Sequence, residues 1–258
     1  MDDDVPVLEL QDITVRLTGL TILDGVTLSV PRGRVVGLIG PNGAGKTTVF
    51  NVISGFVRPE SGRIRYRGRD VERIKAHHLT RMGIARTLQG VGLFPSLTGV
   101  ENVMQGVGSR SLGGVVWEAL AMPWTDAATE RARVRALAVM QDLGVADQAQ
   151  RFPSEMPYPI QKRVALARAL VSDPEVLLLD EPAGGVSASD MHDLEELIRA
   201  ATPRRTVLLV EHHMELVMEV CDLIWVLDAG RVIASGTPDE IRSNPAVLAA
   251  YLGEDGAD

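Results

Sequence analysis

The chain has 258 residues, of which 45% are hydrophobic, and its formal net charge is -8 at pH 7. This length and apolar content allow a complete buried core, as one large domain or two small ones. The balance of 34 acidic against 26 basic side chains opposes general attraction to nucleic-acid phosphates, so we expect no nucleic-acid partner.

The cysteine content and the hydropathy pattern indicate in which cellular compartment the protein acts. Cys221 is the single cysteine of the sequence, so we expect a small buried apolar side chain, no internal disulfide and a reducing compartment. A run of about 18 uninterrupted apolar residues, which a membrane span requires, does not occur in the sequence. The acidic start, residues 1–4, has the wrong charge for a signal peptide. If the protein acts at a membrane, we expect another chain to supply the span.

The first predicted elements are short β-type runs separated by Gly and Pro. The runs LELQDITVRL, GVTLSV and GRIRYRG, between Val7 and Tyr66, predict an antiparallel sheet. Arginines occupy every second position through the last run and directly after it, at Arg63, Arg65, Arg67 and Arg69. Such a stripe suits anion binding, but the solvated face of a strand is the commoner arrangement, and we favour it.

The segment GPNGAGKTT follows the apolar run Val35–Ile39 and precedes a predicted helix, and it matches the phosphate-binding pattern G-x-x-x-x-G-K-[ST]. Its glycines let backbone N–H groups converge on phosphate oxygens, and the helix N-terminus adds positive potential. We expect Lys46 to reach the β- and γ-phosphates of a nucleotide and the Thr47 hydroxyl to ligate Mg²⁺. The alternative is a glycine-rich turn that matches by chance. The predicted nucleotide-binding residues are Gly40, Pro41, Asn42, Gly43, Ala44, Gly45, Lys46, Thr47 and Thr48.

The remaining chain predicts further strands and a helical insertion. The short apolar runs at residues 35–39, 176–179 and 207–210 are flanked by helical segments, which is typical of parallel strands buried on both faces of an α/β core. Between about residues 98 and 151 the apolar spacing becomes helical. The apolar residues with that spacing are Val134, Leu137, Met140 and Leu143.

Two acids end the apolar run VLLLDEP. Ligands bind at strand ends in open α/β sheets. Asp180 is placed to hold Mg²⁺, usually through water, and Glu181 is placed to orient or deprotonate an attacking water. Taken alone, such a pair is more often a charge arrangement at a helix N-terminus, but here it follows a phosphate loop.

The order GPNGAGKTT, Gln89, IQKRVALARAL, LLLDEP and EHH resembles the ATPases of ATP-binding cassette (ABC) transporters along nearly the whole chain. The resemblance implies ATP and Mg²⁺ as cofactors and an α/β fold, in which a RecA-like P-loop NTPase core carries an antiparallel β subdomain and a helical insertion. The core would comprise residues 1–93 and 162–258, and the helical subdomain residues 94–161. Gln89 would contact the metal and the attacking water and link them to the helical subdomain.

The resemblance also implies a switch histidine that contacts the γ-phosphate. It falls on His212, directly after a predicted strand and an acid, and a neutral imidazole can donate to phosphate. His213 is the competing assignment and stands where the family usually has Asp. We favour His212, so the predicted catalytic residues are Glu181, His212, Gln89 and Lys46, and the predicted metal-site residues are Thr47, Gln89 and Asp180.

The finer resemblance is to ATPases of branched-chain amino acid importers and their urea-importing relatives. It rests on ARTLQGVGLFPSLTGVENV, MPYPIQKRVALARAL and the tail ASGTPDEIRSNPAVLAAYLGED, although ATPases that export lipopolysaccharide have a related ending. This implies an importer of small polar solutes with transmembrane permease subunits, a second cassette and, indirectly, a periplasmic or extracellular solute-binding protein. The chain would be a peripheral protein on the cytoplasmic face of the plasma (inner) membrane.

Four positions depart from the family pattern. Leu17 replaces the aromatic residue that stacks on adenine in many cassettes, so weaker apolar contact is expected there. Pro159 replaces a signature glycine and removes a backbone N–H that would face the γ-phosphate of an opposing subunit. Ser187 and His213 replace the usual acids or Asn. Because cassettes pair head to tail, these changes favour a heterodimer with two unequal ATP sites over a homodimer. The alternative is that Tyr158, Gln161 and the helix N-terminus suffice for the contact with the opposing ATP.

Two rival functions remain at this point. A soluble cassette that acts on DNA or ribosomes usually has coiled-coil insertions, paired cassettes or basic regions, and this acidic chain has none of them. A regulatory module that binds ATP without turnover is compatible with Pro159, but the presence of both Glu181 and His212 argues against it.

Overall fold

The computed structural model describes residues 5–72, 74–87, 90–107, 123–202 and 204–252. The strands of this part are β1 (Leu8–Leu17), β2 (Leu20–Val30), β3 (Val35–Ile39), β4 (Ser61–Tyr66), β5 (Arg69–Val71), β6 (Ile84–Arg86), β7 (Val176–Asp180), β8 (Thr206–Val210), β9 (Leu223–Asp228) and β10 (Arg231–Gly236). The helices are α1 (Lys46–Ile53), α2 (Leu79–Met82), α3 (Gly99–Met104), α4 (Pro123–Asp142), α5 (Tyr158–Leu170), α6 (Ala188–Ala201), α7 (Met214–Val220), α8 (Pro238–Arg242) and α9 (Pro245–Leu252). Short 3₁₀ turns lie at Ala76–His78, Gln105–Val107, Ala146–Gln148 and Pro153–Glu155.

The larger sheet has six strands in the order β10-β9-β3-β8-β7-β6. Strands β3, β6, β7, β8 and β9 are parallel, and β10 pairs with β9 in the antiparallel direction. Every residue of β3, β7 and β8 is buried. The three parallel strands expected from the apolar runs are therefore confirmed, and β7 and β8 each extend one residue further, to Asp180 and from Thr206.

The two faces of this sheet pack into different hydrophobic clusters. In β3, Val36 and Leu38 face the cluster formed with α1 and the smaller sheet, whereas Val35 and Ile39 face the cluster formed with α6 and α7. Successive side chains of a strand point to opposite faces, so burial on both sides requires a continuous apolar run instead of an alternating one.

The smaller sheet has four antiparallel strands in the order β2-β1-β4-β5, as the first part of the sequence predicts. Its arginine stripe lies at the surface: Arg63, Arg67 and Arg69 are exposed. Arg65 is half-buried and forms ion pairs with Glu9 at 3.5 Å and Asp70 at 3.2 Å. The solvated-face interpretation is therefore confirmed.

Helices α3, α4 and α5 surround a third hydrophobic cluster, so the helical insertion is also confirmed. Ala136, Met140 and Leu143 on α4 and its C-terminal end face this cluster. Val134 does not: it is 59% exposed, because it lies two residues before Ala136 and thus on the opposite face of the helix. The subdomain boundaries at residues 94 and 161 stay a prediction, and the second falls inside α5.

Cys221 is buried, as expected, and lies against β3. Burial, and to a smaller extent the nearby charge of Asp222, raises the pKa of its thiol to about 12, so the thiol is an inert packing group. A Cβ atom added at Gly37 would lie 2.9 Å from the Cys221 sulfur and 3.4 Å from a Val217 methyl. This close packing explains a glycine in the middle of an otherwise apolar strand.

Within the described ranges, no helix is long and apolar enough to cross a membrane.

We predict that Gly37→Ala lowers the free energy of unfolding by about 1–3 kcal/mol, because the added methyl overpacks the contact with Cys221. Urea unfolding of Gly37→Ala, Cys221→Ala and the double variant measures the coupling between the two sites. The double variant should lose less stability than the sum of the single changes, since removal of the sulfur makes room for the methyl. Strictly additive losses would contradict this packing account.

Candidate functional site

The phosphate-loop segment begins where β3 ends. A Cβ atom at Gly40, whose φ is 148°, would lie 1.9 Å from the backbone oxygen of Leu227. At Gly45, where φ is 104°, a Cβ atom would lie 2.7 Å from a Leu23 methyl. Both positions combine a backbone conformation that disfavours side chains with a close neighbour, so only glycine fits.

Helix α1 starts directly after Gly45. Its first turn has no acidic residue, and no described side chain accepts a hydrogen bond from its N-terminal N–H groups as a cap. A helix N-terminus of this kind is suited to an anionic ligand. The Lys46 ammonium group lies over the loop and donates to the backbone oxygens of Gly40 at 2.7 Å and Pro41 at 2.8 Å. Thr47 is exposed on the first turn, so the donor set of this segment fits the phosphates of a nucleotide.

Strand β7 ends in the second half of the predicted site. Asp180 is buried, with a side chain that is 2% exposed. Glu181 is one of six described non-glycine residues with positive φ, at 49°. Its N–H group donates to the backbone oxygen of Val210, the last residue of β8, at 2.9 Å. The strained backbone therefore places consecutive carboxylates in different surroundings at one strand end.

Lys162, on the second turn of α5, was not singled out in the sequence. Its ammonium group donates to the backbone oxygens of Pro182 at 2.7 Å and Glu181 at 3.3 Å. Burial lowers the pKa of this lysine, and the charges of Glu211 and Glu181 act in the opposite direction. Lys162 thus connects the helical insertion to the loop that carries Glu181.

Arg86 is a second residue that the sequence analysis missed. It ends β6, and its guanidinium group donates to Asp180 Oδ2 at 2.8 Å. It also donates to Asn51 Oδ1 at 2.9 Å and Ser54 Oγ at 3.1 Å, at the C-terminal end of α1. The only sequence signal was a charged residue at the end of the short apolar segment that precedes Thr87.

The predicted switch segment follows β8. The carboxylate of Glu211 is fully buried and accepts hydrogen bonds from four groups. These are the backbone N–H groups of Ala183 at 2.8 Å, His212 at 2.7 Å and His213 at 3.0 Å, and the His213 Nδ1 atom at 2.9 Å. Burial by itself raises the pKa of Glu211, but these hydrogen bonds, led by those from His213, hold it below its ordinary value.

The two histidines differ in how they are held. His213 Nδ1 is within hydrogen-bonding distance of Glu211, and its side chain is 39% exposed. His212 Nδ1 lies 3.5 Å from the same oxygen, and its side chain is 56% exposed. His212 is thus the more accessible of the two, and the choice between them as the phosphate contact stays a prediction.

An open cleft brings several predicted residues together. Asp180 and Glu181 lie on one side of it, and Pro159 and Lys162 of α5 on another. Pro159 lies in the first turn of α5, next to Tyr158, a residue that is 41% exposed. The predicted metal-site residue Asp180, the predicted catalytic residue Glu181 and the signature segment therefore share one cleft.

The other predicted positions lie in different surroundings. Leu17 ends β1 and is 43% exposed, so its side chain is accessible to a ligand. Ser187 precedes α6, and its hydroxyl donates to Asp190 at 2.6 Å. Gln89 lies outside the described residues, so its predicted contacts stay a prediction.

We predict that Glu211→Gln destabilises the protein by about 2 kcal/mol near neutral pH, because an amide replaces a carboxylate that accepts several hydrogen bonds. The pKa of Glu211 is lowered from 4.5 on folding, so its contribution is fully present above 4.5 and is lost as the pH falls through the folded-state value. The difference in urea-unfolding free energy between wild type and variant should therefore shrink below about pH 4.5. The control Glu196→Gln removes a carboxylate that is 69% exposed and should change little. A pH-independent difference would contradict the account.

Comparisons with known proteins agree with this geometry. Residues 23–184 match the family model described as ABC transporter, and residues 231–257 match the model described as branched-chain amino acid ATP-binding cassette transporter. The chain is 40% identical to the high-affinity branched-chain amino acid transport ATP-binding protein LivG of Salmonella typhimurium, over 96% of this chain and 98% of that one. It is 38% identical to the corresponding protein BraF of Pseudomonas aeruginosa, with the same coverage.

Solved structures show the same fold. A nucleotide-free ATP-binding cassette from an ABC transporter aligns with a TM-score of 0.83 at 27% identity, over 96% of this chain and 99% of that one. The ADP conformation of an ATP-binding cassette aligns with a TM-score of 0.81 at 28% identity, with the same coverage.

Proposed function

This chain belongs to the ABC transporter family and is one of its ATP-binding, ATP-hydrolysing subunits, and we propose that it energises the import of branched-chain amino acids or a related small polar solute. The observation that carries the solute class is the match of residues 231–257 to the branched-chain amino acid cassette model. The likeness of nearly the whole chain to LivG and BraF supports the same class.

In this proposal, the loop from Gly40 to Thr48 holds the triphosphate. The N-terminal N–H groups of α1 and the Lys46 ammonium group bind the β- and γ-phosphates, and Lys46 exchanges its backbone acceptors for phosphate oxygens. Thr47 and Asp180, with Gln89, would hold Mg²⁺, which neutralises charge on the phosphates when bound. The oxygen donors of Thr47 and Asp180 are of the type that Mg²⁺ prefers.

Glu181 is the proposed base that orients the attacking water. It follows Asp180 directly, and its positive φ turns its side chain away from the strand direction. His212 would donate to the γ-phosphate, and the hydrogen bonds from its N–H group and that of His213 to Glu211 fix the start of this segment. The His212 imidazole would thus place a donor where negative charge develops on the γ-phosphate during phosphoryl transfer.

Two cassettes would close on ATP and drive a permease through the helical subdomain, residues 94–161. Because α5 connects to Glu181 through Lys162, a movement of the helical subdomain is transmitted to the catalytic loop. The permease, a second cassette and a solute-binding protein are the proposed partners, and they would place this chain on the cytoplasmic face of the membrane. The absence of an N–H group at Pro159 favours a second cassette of different sequence.

The test starts from a tagged chain captured from detergent-solubilised native membranes and reconstituted with its partners in liposomes. Glu181→Gln in this complex should keep ATP binding but lower ATP turnover by about 10²- to 10⁴-fold, because the proposed base is lost. Leucine-stimulated ATPase activity and leucine uptake should fall together. The control Glu196→Gln, an exposed carboxylate on α6, should leave both rates unchanged.

The same preparation distinguishes the alternatives. The equivalent change in the partner cassette should cause a different loss if the two ATP sites are unequal, and equal losses would contradict the asymmetry. Full ATP turnover in Glu181→Gln would contradict the assigned base. Capture of ribosomal or DNA-repair proteins without any membrane chain would contradict the role in transport.

A further inference from the structure

Arg86 bridges two parts of the nucleotide site. One terminal nitrogen of its guanidinium group donates to Asp180 Oδ2 at 2.8 Å, at the end of β7. The other donates to Asn51 Oδ1 at 2.9 Å and Ser54 Oγ at 3.1 Å, on the helix whose first turn contains Lys46 and Thr47. The side chain is therefore fixed between the phosphate-loop helix and the proposed metal-binding carboxylate.

Burial makes this ion pair different from the surface pairs. The Arg86 and Asp180 side chains are 10% and 2% exposed. The guanidinium group also lies 5.5 Å from the ring centre of Phe50 and 5.9 Å from that of Phe56. Water screens such a pair weakly, and the loss of one partner leaves an uncompensated buried charge.

The Arg86 Nε atom is buried and has no hydrogen-bond partner among the described residues. The hydrogen bonds of the side chain to described residues thus come from its two terminal nitrogens, which face α1 and Asp180. The guanidinium group therefore places a positive charge directly at the Asp180 carboxylate.

We propose that Arg86 is a built-in counter-cation for Asp180 that competes with the divalent metal ion, so that the metal binds strongly only together with nucleotide phosphates. This rests on the proposed role of Asp180 in the Mg²⁺ site. One Asp180 oxygen is occupied by Arg86, and a fixed positive charge a few ångströms away repels a dication in this weakly screened interior. The phosphates of the nucleotide supply the negative charge that outweighs this repulsion.

Arg86 is a positioning residue in this scheme, because it acts on the metal through Asp180 and through electrostatic repulsion. It makes nucleotide and metal binding strongly cooperative. Free Mg²⁺ would then bind to the site only weakly. The complex of Mg²⁺ with the nucleotide would be the species that occupies it. By linkage, the same residue sets how much the metal increases nucleotide affinity.

The test measures Mn²⁺ binding to the full-length chain by electron paramagnetic resonance, with and without ADP. Without ADP, Arg86→Gln should bind Mn²⁺ at least about tenfold tighter than wild type, because the repelling charge is gone. Adding ADP should tighten Mn²⁺ binding much more in wild type than in Arg86→Gln. Asp180→Asn in the Arg86→Gln background should remove the gain.

The matched control is Arg205→Gln. Arg205 also forms an ion pair, with the exposed Asp173 at 2.9 Å, but it directly precedes β8, at the opposite edge of the sheet from Asp180. Its loss should leave Mn²⁺ affinity unchanged. Arg86→Lys keeps the charge and should bind Mn²⁺ as weakly as wild type, so it provides a test even if Arg86→Gln does not fold.

The outcomes separate this inference from the proposed function. The first outcome is that wild type binds Mn²⁺ in the presence of ADP, but that in the absence of ADP Arg86→Gln binds Mn²⁺ no tighter than wild type does. This outcome supports the metal site and overturns the role of Arg86. Tighter binding by Arg86→Lys overturns it equally. If wild type binds no Mn²⁺ even with ADP, the metal site itself is overturned, together with this inference.

Discussion

The parallel pairing of β3, β8 and β7 is the constraint on which the rest of the structure depends. Parallel strands end at the same edge of a sheet, so the segments that follow them meet there whatever their separation in sequence. This pairing brings the loop after Ile39, the acids at Asp180 and Glu181 and the segment after Val210 to one edge. The pairing in turn requires that both faces be covered, by α1 with the smaller sheet on one side and by α6 and α7 on the other.

Charged side chains that are buried or partly buried at this edge need interaction partners, and the chain supplies a different partner for each of them. Arg86 compensates Asp180, backbone N–H groups and His213 satisfy Glu211, and the Lys162 ammonium group binds backbone oxygens beside Glu181. A buried charge without such partners would cost several kcal/mol. These contacts also join elements that are distant in sequence. The interactions that allow the acids to be buried therefore also tie the helical insertion and α1 to the carboxyl edge of the sheet.

Much of the fold and of the site could be predicted from the sequence, because those parts follow local patterns. Continuous apolar runs predicted the buried strands, and the loop that follows β3 was recognised by its glycine spacing. Arg86 and Lys162 were missed because their roles depend on tertiary contacts that no local pattern encodes. Val134 shows the reverse error: it has a plausible spacing but lies on the wrong face of α4, and only the packing of Ala136 and Met140 decides which face is buried.

We propose that the carboxyl edge of the six-stranded sheet is the nucleotide site. Hydrogen–deuterium exchange of the full-length chain with and without Mg-ADP tests it most directly, because bound phosphates protect the backbone amides that contact them. We expect the largest protection at residues 40–48, with further protection at residues 180–183 and 211–213. Protection confined to other surfaces, or none at saturating Mg-ADP, would contradict the account.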